Sequence, residues 1–246
     1  MDRLRHAYRD QIVEILDRVV VGQSASFDAA CDAVSAALAS DHLIFVAGSG
    51  HSHLIAEEAF FRAGGIAAAQ AILDPGLMLH QSASGSSQLE REAGYARKVL
   101  ADYIITPGDV VFIASNSGRN AYPIEVALEA KACGATTVAL TSLAHTTEIT
   151  ARHPAGKRLF EVCDIVLDNG AVYGDAGLPI GNGALRMGPT STVVGVFIIN
   201  AVIAEAVDGL ARKGIGVDVY QSANAKVGEA AADAMVRRWQ HRIRGL

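Results

Sequence analysis

Two stretches of the chain carry hydroxyl and amide side chains at spacings that suit an anion. Ser115-Asn116-Ser117-Gly118-Arg119-Asn120 follows the apolar run Val110 to Ala114 and precedes a helical pattern that carries Glu125, Val126, Leu128, Glu129 and Lys131 and stops at Gly134. Pro123 suits the first helical position, where its missing N–H costs nothing. A helix N-terminus presents unpaired N–H groups and the positive end of the macrodipole, so small hydroxyl side chains there make a cradle for a dianion such as phosphate. Upstream, Gly48-Ser49-Gly50-His51-Ser52-His53 lies in the same way between the apolar run Leu43 to Ala47 and the helical run Leu54 to Ala63. Ser and Asn are also ordinary turn and capping residues, and either loop by itself reads as capping. Two such loops at the ends of two strands suit a small phosphorylated ligand, held in the crevice where a parallel sheet reverses its strand order.

The first loop also invites a dinucleotide reading, with Asp74 near the distance of a ribose-binding acid. Against it, His53 stands where the third glycine belongs and Pro75 follows Asp74 in a turn. A dinucleotide would also leave the 115–120 loop without a purpose. His51 and His53 have no cysteine or third histidine near them, so no metal is implied; one of them lining a sugar pocket is the better reading. Three groups are candidates to move a proton: His51, Glu58 on the helix after the first loop, and Glu90. Of Glu57 and Glu58 at least one faces solvent, and Glu58 is the one that can point along its helix toward the pocket. Leu79 to Gln88, rich in Ser, Gly and Ala, reads as a mobile loop. Glu90, Arg91 and Glu92 then fall in the first turn of a helix, where acids are favourable, and where they also suit a lid that carries a general base.

The elements that must position these groups follow from hydrophobic periodicity. Leu4, Tyr8, Ile12, Ile15, Leu16 and Val19 define a helix ending at Gly22, and Ser26 caps a second whose apolar face is Phe27, Ala30, Cys31, Val34 and Leu38. This hairpin is expected to pack on the sheet or on another subunit. Strands are expected at Leu43–Ala47, 67–73, Val110–Ala114, Thr136–Thr141 and Cys163–Asp168, the second being Ala-rich and weakly marked. The glycine-rich segment 169–189 reads as a long functional or interface loop. It ends in Gly188-Pro189-Thr190-Ser191-Thr192, a cap for a helix from Val193 to Leu210, and a final helix runs from Tyr220 to Arg244 with Val227, Met235 and Trp239 on one side.

With 246 residues, half of them hydrophobic, the chain is long enough for one substantial core. A net charge of −5 with interspersed signs and few aromatics argues against nucleic acid. Cys31, Cys133 and Cys163 lack metal-ligand spacing and read as reduced, buried thiols of a cytoplasmic protein. The N-terminus has no apolar signal region. The apolar run from Val193 to Ala204 contains Asn200 and precedes Glu205, too short and too polar to span a bilayer, and reads as a buried core helix.

The order strand, Gly-Ser-Gly-His-Ser, helix, strand, Ser-Asn-Ser-Gly, helix, then Gly-Pro-Thr-Ser-Thr before an apolar helix resembles the SIS (sugar isomerase) domain of phosphosugar isomerases and phosphosugar-binding regulators. The resemblance spans about Leu43 to Asn200, and the whole chain looks most like a branch called putative phosphoheptose isomerase. It implies a single α/β domain: a flavodoxin-like, three-layer αβα fold with five parallel strands. The core would cover about 41–215, with a helical extension at 1–40 and a C-terminal helix at 219–246. It further implies a homodimer or homotetramer with sites near subunit interfaces, and no cofactor. Ser49, Ser52, Ser115, Ser117 and Asn120 match the family's phosphosugar loops, Asn120 standing for a usual Ser or Thr; Thr190 and Ser191 match its third turn. The glutamate of phosphoheptose isomerases falls on Arg62, with Glu58 one turn earlier. The related muramic acid phosphate etherases share Ser117-Gly118-Arg119 and Gly188-Pro189-Thr190, but follow the latter with basic residues where this chain has Ser191, Thr192 and Val193. The resemblance thus implies a sugar-phosphate ligand and an aldose–ketose isomerase, with an etherase-like lyase or a non-catalytic sugar-phosphate sensor as alternatives.

Overall fold

The computed structural model describes residues 4–222 and 228–246. Five parallel strands, β1 (Ile44–Gly48), β2 (Ala69–Ile72), β3 (Val110–Ala114), β4 (Thr136–Thr141) and β5 (Ile165–Asp168), run in the order β2-β1-β3-β4-β5. Every residue of β1 and β3 is buried, as a sheet covered on both faces requires of its central strands. The weakly marked second strand forms at the edge. Its one polar residue, Gln70, is buried because its amide is used: Oε1 accepts the Arg244 N–H at 2.6 Å and Nε2 donates to the Ala71 carbonyl at 2.7 Å. The C-terminal segment thereby covers what would be an open sheet edge.

Helices α1 (Leu4–Gly22) and α2 (Ser24–Ala39) form the expected hairpin, and α3 (His53–Ala59) follows the first loop. Between β2 and β3 lie α4 (Ala83–Leu89) and α5 (Tyr95–Leu100); α6 (Ala121–Ala132) follows β3 and α7 (Leu143–Thr146) follows β4. A hairpin of β6 (Leu178–Ile180) and β7 (Leu185–Met187) occupies part of the 169–189 segment, and α8 (Ser191–Arg212) and α9 (Gly228–Trp239) complete the chain. α2 and α3 pack on α8, while α5 packs on α6 and α6 on β3 and β4. This is the three-layer αβα arrangement that the resemblance implied.

Several boundaries differ from the sequence expectation, each for a physical reason. α3 stops at Ala59 instead of Ala63, because Gly64 donates to Tyr220 and Tyr220 to Gly65 at 2.8 and 2.9 Å, so tertiary hydrogen bonds replace further helical ones. The second helix begins at Ser24 rather than at a Ser26 cap. Pro123 is the third residue of α6, still within the first turn, where a missing N–H breaks no helical bond. The expected mobile loop is largely α4: Ser82 Oγ accepts the Gly85 N–H at 3.1 Å as its cap, and buried Ser86 donates to the Leu77 carbonyl at 2.7 Å. The final helix is confined to α9; Val227 lies outside the described residues, and Trp239 is buried as expected. Cys133 is exposed, against expectation, whereas Cys31 is buried and burial pushes its thiol up to about 11.

The apolar run before Leu210 belongs to a 22-residue helix, long and apolar enough to cross a membrane, so length alone does not exclude a span. Its packing identifies it as a core helix. Val194, Ile198, Ile199, Val202, Ala206 and Leu210 are buried at helical spacing against α2 and α3.

Asp109, fully buried before β3, accepts N–H groups from Leu43 at 2.8 Å and Thr106 at 2.7 Å and faces the Arg242 guanidinium at 3.0 Å. It ties the starts of β1 and β3 to the C-terminal segment. Asp109→Ala strands a guanidinium and two N–H groups and is expected to cost about 3–5 kcal/mol in urea unfolding. Arg97→Ala, which breaks an exposed ion pair with Glu129, should cost under about 1 kcal/mol.

Candidate functional site

The site is built where β1 and β3 end side by side. Their parallel register pairs Gly48 with Ala114, so the two loops leave the sheet as neighbours. A side chain on Gly48 would collide with the Ser52 carbonyl, because the first loop folds back on itself in a short 3-10 turn before α3. In the second loop Gly118 has a φ of +57°, with Leu159, Thr141 and Thr146 packed around it.

The hydroxyls of the second loop have different tasks. Ser115 is buried, and its Oγ accepts the Gly118 N–H at 3.2 Å, bracing the turn. Ser117 Oγ has no partner among the described residues, and no acceptor there takes the backbone N–H groups of Ser117, Arg119 and Asn120. Asn120 occupies the N-cap position of α6, yet its side chain bonds no helical N–H; its Oδ1 accepts from Arg152 Nη1 at 3.1 Å. The start of α6 therefore keeps donors to offer.

Beside this loop is a narrow crevice with a cavity volume of about 10 Å³, lined by Ser52, Ser115, Asn116, Asn169, Ser191 and Thr192 among others. It brings together residues from all three hydroxyl-rich turns read in the sequence. Asn116 and Asn169 were not singled out as site residues; Asn169 Nδ2 donates to Asn116 Oδ1 at 3.0 Å across the cleft wall. Ser49 is buried nearby on the first loop. Thr190 and Ser191 do not present free donors. Both backbone N–H groups and both hydroxyls point to Asp175, with the Ser191 hydroxyl 2.5 Å from Oδ2, so a carboxylate already fills the start of α8. No periodicity or motif marked Asp175, 15 residues before Thr190, the N-cap residue of α8.

The three candidate proton-transfer residues lie in different surroundings. His51 is exposed on the first loop, whereas His53 is buried with its Nδ1 at the Gly50 carbonyl. Glu58, in the last turn of α3, is carried about 8 Å from the helix start. It pairs with Arg62, accepts from Asn200 Nδ2 at 3.1 Å and lines a separate cavity between α3 and α8. Glu90 is the residue after α4 rather than part of a helical first turn, and its carbonyl accepts the Tyr122 N–H at 3.0 Å. That bond holds Glu90 against the first turn of α6.

His145 also stands near the loops. Gly174 N–H donates to its Nδ1 at 3.0 Å, placing the ring proton on Nε2, and the ring stacks on Tyr173 at 4.9 Å. Burial lowers its pKa, Arg119 adds to that and Asp175 opposes it, and the net direction favours the neutral imidazole.

Comparison with known proteins agrees with this architecture. The family described as SIS domain matches residues 7–142. A UPF0309 protein of Halalkalibacterium halodurans is 43% identical over 210 residues, covering 85% of this chain and 87% of its own. One from Geobacillus thermodenitrificans is 44% identical over 232 residues, covering 94% and 92%. Among solved structures, a phosphoheptose isomerase from Francisella tularensis aligns with a TM-score of 0.54 at 16% identity, over 82% of this chain and 95% of that one. The Vibrio vulnificus NanR protein, solved with ManNAc-6P, aligns with a TM-score of 0.53 at 14% identity, over 100% and 72%. At these identities the likeness is one of fold.

The two loop serines should separate in a stability measurement. Ser115→Ala leaves the buried Gly118 N–H without an acceptor and is expected to cost about 1–3 kcal/mol in urea unfolding. Ser117→Ala should stay within about 0.5 kcal/mol of the parent, because no internal bond is lost.

Proposed function

The chain belongs to the SIS domain family, and from that premise we propose that it binds a phosphorylated sugar at the ends of β1 and β3 and interconverts its aldose and ketose forms. The observation that carries the reading is that the Ser117 hydroxyl and the N–H groups of Ser117, Arg119 and Asn120 at the start of α6 have no partner among the described residues. Donors left open at a helix start suit a phosphate, whose dianion gains from both the hydrogen bonds and the macrodipole. The sugar then extends over the cleft lined by Ser52, Asn116 and Ser191. Ser49 and Ser115 shape the two loops, and Thr190 and Ser191 hold the third wall through Asp175.

Aldose–ketose exchange moves a proton between adjacent carbons and needs a base together with donors for the enediolate. Glu90 is the assigned base, because its main chain is fixed against the start of α6. His51, exposed beside the first loop, is the second candidate. Glu58, engaged by Arg62 and Asn200, supports α3 instead. The assembly is proposed to be a homodimer or homotetramer, which would cover Val13, Val20 and Val21 on α1 and Leu185 and Met187 on the β6–β7 hairpin, all exposed in one chain.

Phosphosugars at a hundred times their dissociation constant are expected to stabilise the protein by ~2.7 kcal/mol in thermal unfolding, with unphosphorylated sugars giving no shift. Equal shifts from both would sink the binding reading. With the best binder as substrate, Glu90→Gln should cut turnover by ~10²–10⁴-fold with affinity nearly kept, and the wild type should incorporate solvent deuterium at C1 or C2. Release of an ether substituent would mark a lyase; binding with no turnover would mark a sensor. Sedimentation velocity at micromolar concentration should show a dimer or tetramer, and a clean monomer that binds ligand would contradict the assembly.

A further inference from the structure

The turn between α1 and α2 meets the end of β5 around a second cavity, of about 340 Å³, lined by Arg18, Val19, Ser26, Leu143, Val166 and Asp168 among others. It is distinct from the crevice at β1 and β3. Asn169 lines the crevice, whereas its neighbours Asp168 and Gly170 line this cavity, so the turn at the end of β5 is a wall between the two. That wall is held from several sides. Gln23 pairs with the Asp168 backbone, Oε1 accepting its N–H at 2.9 Å and Nε2 donating to its carbonyl at 2.7 Å. Gly170 has a φ of +63°, and a Cβ there would lie 3.0 Å from Ile15 and 3.4 Å from Val19. Asp168 Oδ1 accepts the Leu143 and Gly170 N–H groups, both at 3.0 Å, which fixes the carboxylate. Its Oδ2 has no partner among the described residues, nor has the Ser26 hydroxyl. Arg18 donates once, from Nη2 to the Gly170 carbonyl at 3.2 Å, and makes no ion pair among the described residues. A guanidinium and a carboxylate thus share one cavity without neutralising each other. A ligand with a single charge satisfies one of them and desolvates the other, whereas a ligand with both charges satisfies both.

We propose that this cavity is a second small-molecule site and that its ligand is an α-amino acid with an aliphatic side chain. The ligand carboxylate meets the Arg18 guanidinium, whose planar fork matches two carboxylate oxygens where a lysine would offer a single point of charge. The ammonium meets Asp168 Oδ2 and the Ser26 hydroxyl, the two acceptors left open on the cavity wall. Val19, Leu143 and Val166 supply the apolar surface for the side chain. The volume lies at the lower end of the ~300–1,000 Å³ typical of small-molecule pockets, which suits one amino acid rather than a peptide. The site stands apart from the sugar-phosphate reading, because it shares no lining residue with the crevice.

The test titrates the full chain at pH 7 with L-leucine by calorimetry, beside 4-methylpentanoate, which lacks the ammonium, and 3-methylbutylamine, which lacks the carboxylate. Leucine should bind at least ~10-fold more tightly than either. Arg18→Ala, at an exposed position, and Asp168→Asn, which keeps an acceptor for the Leu143 and Gly170 N–H groups, should each weaken leucine by about 10- to 100-fold, with Arg18→Lys between Arg18→Ala and the parent. Circular dichroism checks folding, and Ser26→Ala, which breaks no bond among the described residues, should weaken leucine by about 3- to 10-fold if either charge variant fails to fold. Each contact is assigned by its matching probe: Arg18→Ala should leave the affinity for 3-methylbutylamine unchanged, and Asp168→Asn that for 4-methylpentanoate. Excess inorganic phosphate should leave leucine binding intact, whereas displacement would put leucine in the crevice and overturn the second site. A protein that takes up leucine but no sugar phosphate keeps this site and loses the sugar-phosphate reading. No leucine binding up to ~10 mM, or binding that none of the variants weakens, overturns the site, and equal affinity for a singly charged probe overturns the zwitterion assignment.

Discussion

The hydrogen-bonded register between β1 and β3 is the constraint on which the site depends. In the order β2-β1-β3-β4-β5, connections turn one way from β1 to β2 and the other way from β3 onward, so the chain leaving β1 and the chain leaving β3 diverge. A crevice opens between them. Pairing of Gly48 with Ala114 fixes how far each loop rises before it turns, and the absence of a side chain at Gly48 lets the first loop fold close to its own strand. Ser52 and Ser115, 63 positions apart, line one cleft because of that register.

Two long helices begin at this crevice, and they are neutralised in different ways. α8 starts against Asp175, a residue held at a φ of +51°, whose carboxylate takes two N–H groups and two hydroxyls. The positive left-handed conformation is uncommon for a residue with a side chain, and four hydrogen bonds to one carboxylate are what hold it there. α6 starts with no such acid. Its cap residue turns away to Arg152, and among the described residues its hydroxyl neighbour Ser117 has no partner. The fold completes one helix start from within and, among the described residues, leaves donors open at the other.

His145 and Glu90 flank these helix starts from opposite sides of the sequence. Burial and Arg119 both favour the neutral imidazole, whose Nε2 proton is then available as a donor, while Glu90 is fixed through its main chain.

The sequence by itself determined the strands, because β-branched and aromatic runs such as Val110–Ala114 and Thr136–Thr141 can be buried on both faces only in a covered parallel sheet, and the observed strands start and stop there. It also determined the loops, because glycine and hydroxyl residues between a strand and a helix have few other uses. Tertiary structure decided where helices end and what each polar group does. α3 stops at Ala59 because the segment near Tyr220 pairs with Gly64 and Gly65, and the expected mobile loop is helical because Ser82 and Ser86 find backbone partners. Ser115 and Ser117 look alike in the sequence, yet one braces a turn and the other has no partner among the described residues. Asp175 and Arg152 carry no local signal at all, since both act on residues far from them in the chain. Periodicity records which side of an element is buried, whereas a charge's role depends on which distant backbone lies within 3 Å or so of it, and only the folded chain sets that distance.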